Sequence, residues 1–470
     1  MDRIFSIFII VSLFVYNTTF ELTEDKIKIL DEMIQNQMKK AKLNTVGVII
    51  TNKTSTIFQN VYTEAGKISN ATRFIIGSVS KSFTALGILK LNISLNQTLD
   101  KFDLNEYIDE NDAKDITVSE LLNHTSGLDS FSSKRKYEKG YYNYSNYGFA
   151  LLGKIIEKQS GQKYEEYMKE KIFGPLNMVN TNAKYNKDII DSYDNFLGFR
   201  TKYTSLESEI GDGFYIPAGF ISVSIEDMGY YLRYYLNDTS EDYENYISQM
   251  IKGNVNIEYN IDYGMGLVIE KKNNQMIYHH DGATNSFLSK LSIFPELEIG
   301  IFIITNTNDM FCDQPTADFK NNIIDFITLD TYRDISTTLF IYIHFFYDII
   351  FFILIGIPLT YLIVTIVRKF KKKEYMWFTG IKGKIIFVVD VLVLIIIPLC
   401  IIIFFYTFDS TLKYATNNSK DIQFILFTIL SASIFNFLIK LVYVFIYNKH
   451  FKNKNVENMD LDYIGLDNEK

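Results

Sequence analysis

The sequence predicts an α+β domain, an antiparallel sheet flanked by helices and carrying a helical lobe, followed by three transmembrane helices. Three observations carry that expectation. Two apolar runs near the start, "NTVGVIITN" and "STIFQNVYTEAG", are separated by a short polar turn and read as a β-hairpin. A late stretch, "YGMGLVIEKKNNQMIYHHDGATNSFLSKLSIFPELEIGIFIITN", alternates apolar strands with turns, while the chain between them is mostly helical in pattern. From residue 339 onward three apolar segments are each long enough to cross a bilayer, which needs about 20 residues.

Taken in order, residues 1–20 place one arginine before an apolar run, the layout of a signal peptide or an uncleaved signal anchor. Residues 21–330 form the exported domain. They open with "EDKIKILDEMIQNQMKKA", whose apolar spacing is that of an amphipathic helix. The first hairpin and the last strands belong to one antiparallel sheet, with the helical region of roughly 79–250 inserted between them. The spans cover about 339–367, 385–408 and 422–447, and residues 448–470 form a short tail. The loop between the first two spans, "RKFKKKEYMWFTGIKGK", is strongly basic, whereas "DSTLKYATNNSKD" between the second and third is balanced. Positive loops stay cytoplasmic, so the first span runs from outside to inside. The domain before it then lies outside the cell membrane, on the side an export signal also requires. Asp390 and Lys440 fall at similar depths in the second and third spans, where charged groups are costly unless paired.

Composition removes several classes of function. A net charge of −8 and a pI near 5.4 leave no basic face for nucleic acid. Two cysteines, Cys312 and Cys400, are too few for a disulfide framework or a cysteine-built zinc site. The five histidines contain no His-Glu-x-x-His, which excludes a zincin-type metalloprotease. No metal or other cofactor is implied.

Three short patterns carry chemistry. In "RFIIGSVSKSFTALG", Ser78 and Lys81 lie three apart at the start of a helical pattern and therefore share a face. A lysine desolvated against a cleft has its pKa lowered and can take a serine proton. The same Ser-x-x-Lys spacing recurs at Ser133/Lys136 and Ser160/Lys163, so the four letters alone fit an ordinary helix start as well. Tyr144-Ser145-Asn146 precedes an apolar helix. A tyrosine beside an ammonium can serve as a phenolate base, and an amide can orient a substrate carbonyl or the lysine. Tyr-x-Asn also occurs at Tyr141, Tyr193, Tyr235 and Tyr243. His280-Asp281-Gly282 is the one His-x-Gly in the chain, placed at a late strand where a glycine admits close approach.

Together and in this order, the three patterns resemble those of the serine β-lactamase and penicillin-binding-protein superfamily. The resemblance is to the branch holding class C β-lactamases, D,D-carboxypeptidases and related esterases. Its motifs are Ser-x-x-Lys, Tyr-x-Asn and Lys/His-x-Gly; "ITVSELLNHTSGL", "PAGFISVSIEDMGYYL" and "YGMGLVI" look like the family as well. The likeness spans nearly all of residues 21–330 and none of the membrane part. It implies that Ser78 is acylated and that Lys81 with Tyr144 moves its proton and later activates water. It further implies that Asn146 orients the substrate, that His280 holds its carboxylate or tunes Tyr144, and that Gly282 lets the substrate near the backbone. The N–H groups of Ser78 and Ala283 would form the oxyanion hole. His124 and Ser126 in "NHTSGL" are read as structural, at a turn that ends a helix, and His279 as pointing to the opposite strand face.

Two departures from the family pattern stand out. Asp281 occupies a position where penicillin-recognising members often carry a hydroxyl residue, and its charge would repel a substrate carboxylate unless His280 is protonated or the side chain turns away. Ser286 stands where many relatives have glycine. The expectation is a serine hydrolase acting on an ester, amide or peptide, with β-lactams and D-Ala-D-Ala termini poor substrates and cell-wall-derived molecules among the candidates. The competing expectations are a ligand sensor relaying through the spans and a binding module without turnover.

Overall fold

The computed structural model describes residues 22–336, apart from 65, 197–198, 273–274 and 310–313, together with the isolated positions 349, 431 and 438. The signal segment, the three apolar spans with Asp390 and Lys440, and the tail lie outside the described residues. Among the described residues, no helix is long and apolar enough to cross a membrane.

Helix α1 (Glu24–Lys40) starts where Thr23 caps it by accepting the Lys26 N–H, with Glu24 and Asp25 at the positive end of its dipole. The chain then forms β1 (Thr45–Asn52), β2 (Thr56–Thr63) and β3 (Gly66–Lys67). After β4 (Arg73–Ile75) and α2 (Ser80–Lys90) comes the helical lobe, centred on α3 (Asn146–Ser160). The chain returns through β5 (Ser222–Ser224) and α4 (Ile225–Leu236). The strands β6 (Val255–Glu258), β7 (Ile261–Tyr263), β8 (Val268–Lys272), β9 (Gln275–Ala283), β10 (Leu288–Phe294) and β11 (Ile299–Thr305) follow, then α5 (Gln314–Leu329).

One nine-stranded sheet, all antiparallel, has the order β3-β2-β1-β11-β10-β9-β8-β7-β6. The first and last strands of the domain thus pair, Val46 opposite Thr305 and Asn52 opposite Ile299, as the sequence predicts. The sheet reaches two strands further than the sequence analysis placed it. "VNIEYNIDY" closes a hairpin in which Asn260 takes a left-handed φ of 62° and the side chains of Val255–Glu258 alternate half-buried and exposed, the mark of an edge strand. That segment is too polar to stand out from the helical region before it.

Both faces of the central strands are covered, which is why β1 and β11 are apolar almost throughout. Val46, Val48, Ile50, Ile301 and Ile303 pack with Leu30, Ile34, Phe319 and Ile323 of α1 and α5. On the opposite face Ile49, Phe302, Ile304 and Leu291 join one core with α2, α3 and α4.

The seam between the end of β9 and the start of α2 leaves no room for side chains on its glycines. A side chain on Gly77, whose φ is +54°, would put its Cβ 2.3 Å from Ala283 N. One on Gly282 would come within 2.0 Å of Ile76 O and 2.3 Å of Ser289 Oγ. The Ser289 hydroxyl donates to Ile76 O at 2.8 Å, and Ile76 N–H donates to Ile221 O at 3.1 Å, so this backbone is held from two sides.

Gly282→Ala therefore forces β9 away from Ile76 and should lower stability by about 1–3 kcal/mol, the usual cost of overpacking. Gly148→Ala, in α3 and with neighbours no nearer than 3.5 Å, should raise it by up to about 1 kcal/mol. Urea midpoints of the two variants check both signs.

Candidate active site

The left-handed Gly77 turns the chain out of β4 into a single 3₁₀ turn, Gly77–Val79, that leads into α2. Ser78 thus stands at the head of the helix, partly exposed, with Lys81 one turn on and fully buried. Ser145 caps α3 by accepting the Gly148 N–H at 3.0 Å, which fixes Tyr144 just before the helix and Asn146 at its first position. The three motifs meet here. Tyr144 donates its hydroxyl to Ser78 Oγ at 2.6 Å. Lys81 Nζ lies 3.0 Å from Ser78 Oγ, 2.7 Å from Asn146 Oδ1 and 2.6 Å from Ala218 O.

Counting protons assigns roles within this cluster. Burial pushes the Lys81 amine well below its ordinary value, so the favoured form is the neutral amine, with two N–H groups and one lone pair. Asn146 Oδ1 and Ala218 O can only accept, so they take the two N–H groups. The lone pair is left facing the hydrogen of Ser78. Asn146 is in turn fixed by donating to Ser130 Oγ at 3.2 Å. Desolvation holds the Tyr144 phenol far above its ordinary value despite the bond to Ser78. Tyr144 is therefore a proton donor at rest, not the phenolate base that the motif alone allows.

The third motif lies on β9, where alternation sends His280 and Gly282 to one face and Asp281 to the other. Asp281 turns away from Ser78 to Lys290 at 3.1 Å and Lys320 at 3.3 Å. Partial burial works against its charge, but the two lysines hold the carboxyl at about 2. Asp281 is thus charged and neutralised on the far face, which removes the repulsion its position suggested. His280 is buried, and that desolvation is the main cause that pushes it down, to about 4. A neutral ring is a poor holder for a substrate carboxylate. Its nitrogens are engaged by the Tyr263 hydroxyl at 3.4 Å and by Asp281 O at 2.6 Å.

Gly282 and Gly77 bring Ala283 N against Gly77, the residue before Ser78. Ser286 sits buried in the 284–287 turn without a left-handed φ, so its backbone does not require glycine. His279 faces away from the site and approaches Glu270 at 3.3 Å.

Two residues near the site were missed from sequence. His124 was read as part of a turn, yet its ring centroid lies 4.4 Å from that of Tyr144. Tyr263 is fully buried between His124 and His280. Their contacts join segments 139 and 17 residues apart, and no local pattern reveals them.

The Beta-lactamase family pattern matches residues 30–322. The chain belongs to that family. Among curated relatives of this β-lactamase-family chain, Protein flp of Staphylococcus aureus (strain MRSA252) is 24% identical over 353 residues, covering 65% of this chain and 68% of that protein. Beta-lactamase-like protein 4 of Dictyostelium discoideum is 24% identical over 338 residues, covering 59% of each. The octameric penicillin-binding protein homologue from Pyrococcus abyssi has the same fold, with a TM-score of 0.55 and 24% identity over 66% of this chain and 79% of that one.

Neutral burial of His280 links its protonation to stability. The folded state resists the proton to about 4, whereas the unfolded chain binds it near 6.5. Stability from this group is present above about 6.5 and is lost as the pH falls to about 4, by about 3 kcal/mol in all. Urea unfolding across this range should show a smaller acid loss in His280→Asn than in the parent.

Proposed function

We propose that this β-lactamase-family chain is a membrane-anchored, extracytoplasmic serine hydrolase that works through an acyl-enzyme on Ser78. The observation that carries the reading is the set of partners around Lys81 Nζ, two acceptor-only oxygens and the Ser78 hydroxyl. As Ser78 Oγ bonds to the substrate carbonyl carbon, its proton passes to Lys81, whose three N–H groups then all have acceptors. The carbonyl electrons move to oxygen and are met by the N–H groups of Ser78 and Ala283. When the tetrahedral adduct collapses, the leaving group takes the Tyr144 proton, and the proton held on Lys81 restores the phenol. Water then attacks the acyl carbonyl, losing its proton to Lys81; as this adduct collapses the bond to Ser78 Oγ breaks, Lys81 returns the proton to that oxygen and the acid leaves.

The substrate side follows from charge. Lys81 and His280 favour their neutral forms, and Lys290 and Lys320 are engaged by Asp281 on the other face. The motif residues thus offer a substrate no positive charge. A neutral ester, amide or peptide bond suits this better than a β-lactam or a D-Ala-D-Ala terminus, both of which carry a carboxylate beside the reacting carbonyl. Placement in the cell membrane rests on the apolar spans and the basic loop of residues 368–384. Bilayer lipid and a small-molecule or peptide substrate, including material derived from the cell wall, are the partners this implies.

Full-length protein in detergent should turn over a p-nitrophenyl acyl ester many times per enzyme, while Ser78→Ala should lose at least about a hundredfold of that rate. A fluorescent penicillin should be processed far more slowly than the ester. A single stoichiometric burst without turnover, or equal rates in Ser78→Ala, would contradict the proposal.

A further inference from the structure

We propose that His124 and Tyr263 are positioning residues that clamp Tyr144 onto Ser78 through one directed chain of hydrogen bonds. The inference rests on the serine-hydrolase reading above and adds two residues outside its three motifs.

The direction of the chain follows from its ends. At one end the Ser145 backbone N–H donates to His124 Nδ1 at 3.1 Å. That nitrogen must be unprotonated, so the His124 proton sits on Nε2. Nε2–H then donates to the Tyr263 hydroxyl at 3.2 Å. The Tyr263 hydroxyl has one hydrogen and passes it to His280 Nε2 at 3.4 Å. With its Nε2 accepting, His280 keeps its proton on Nδ1 and donates it to Asp281 O at 2.6 Å. Every ring is neutral, and each proton in the chain has one place to go. Desolvation drives both histidines below their ordinary value and lifts Tyr263 well above the phenol range, in agreement with this neutral assignment.

The chain matters because of what stands on it. His124 takes a left-handed φ of 58°, which turns its ring back from the end of the helix Val118–Leu122 toward the site. One edge of that ring holds the backbone of Ser145, the residue after Tyr144, while the ring itself packs on Tyr144 at 4.4 Å and on Phe149 at 5.0 Å. His124 O also accepts the Asn143 N–H at 2.7 Å, on the other side of Tyr144. The loop segment that carries Tyr144 is thus gripped on both sides by one residue, and Tyr263 ties that residue to the motif strand β9. A drift of Tyr144 by 1 Å would open its 2.6 Å contact with Ser78, and misplacement of that size costs about a hundredfold in rate.

The test is the rate of Ser78 phosphonylation by a fluorophosphonate in the full-length protein, resolved into reagent affinity and the maximal rate of bond formation. Tyr263→Phe removes only the hydroxyl, and His124→Phe keeps the ring but neither nitrogen. Both should lower the maximal rate about 10- to 100-fold with reagent affinity unchanged. His124→Asn places an amide oxygen near the Nδ1 position and tolerates the left-handed backbone, so it should recover part of the rate lost in His124→Leu. A purely structural role predicts weaker urea resistance with unaltered phosphonylation in the protein that remains folded. Parental rates in folded Tyr263→Phe and His124→Phe would overturn the inference alone. Failure of the parent protein to react at Ser78 would overturn the hydrolase reading and this inference with it.

Discussion

The site depends on keeping one amine uncharged inside protein. Lys81 is fully buried, and a lone ammonium there would be far more costly than the neutral form. Its hydrogen-bond partners are the oxygens of Asn146, Ala218 and Ser78, with the rings of Tyr144 and Phe149 beside it. Those oxygens do two jobs in sequence. At rest two of them take the N–H groups and leave the lone pair on the Ser78 proton; after transfer, all three solvate the new ammonium. The amine is thus poised to gain a proton without any group having to move.

The rest of the fold can be read as support for that arrangement. The sheet brings β9 alongside the head of α2, and two glycines let the backbones meet where any side chain would collide. The helical lobe delivers Tyr144 and Asn146 from the start of α3, and the turn before β5 delivers Ala218 O. These pieces come from positions 77–81, 144–146, 218 and 280–283, so the geometry exists only once the sheet and the lobe have packed against each other. Charge is kept away from the reacting atoms as well. Asp281, the one carboxylate within the motifs, is turned to the outer face and matched by Lys290 and Lys320.

Much of this was legible in the sequence because it is local. The hairpin, the alternating late strands and the amphipathic first helix follow from periodicity. Ser78 and Lys81 share a helix face by spacing alone. The direction of Asp281 follows from strand alternation once His280 is placed inward. What was not legible depends on long-range packing. Tyr144 reads as a base beside an ammonium, and only its burial shows it to be a donor. His124 reads as a turn residue because its left-handed backbone is what a helix end uses, and the ring's reach toward Tyr263 appears only in three dimensions. The outer strands β6 and β7 were missed because they are short and carry polar residues.

Acylation turns on a neutral Lys81 drawing the proton from Ser78. The most direct measurement is the pH dependence of fluorophosphonate attack, with the modified residue located by mass spectrometry. Burial lowers the pKa of that amine well below its ordinary value, so its proton is lost at a lower pH than that of an exposed lysine. The predicted result is an adduct on Ser78 whose rate of formation levels off well below pH 10. A rate that climbs steadily toward pH 10, or an adduct on any other residue, would contradict it.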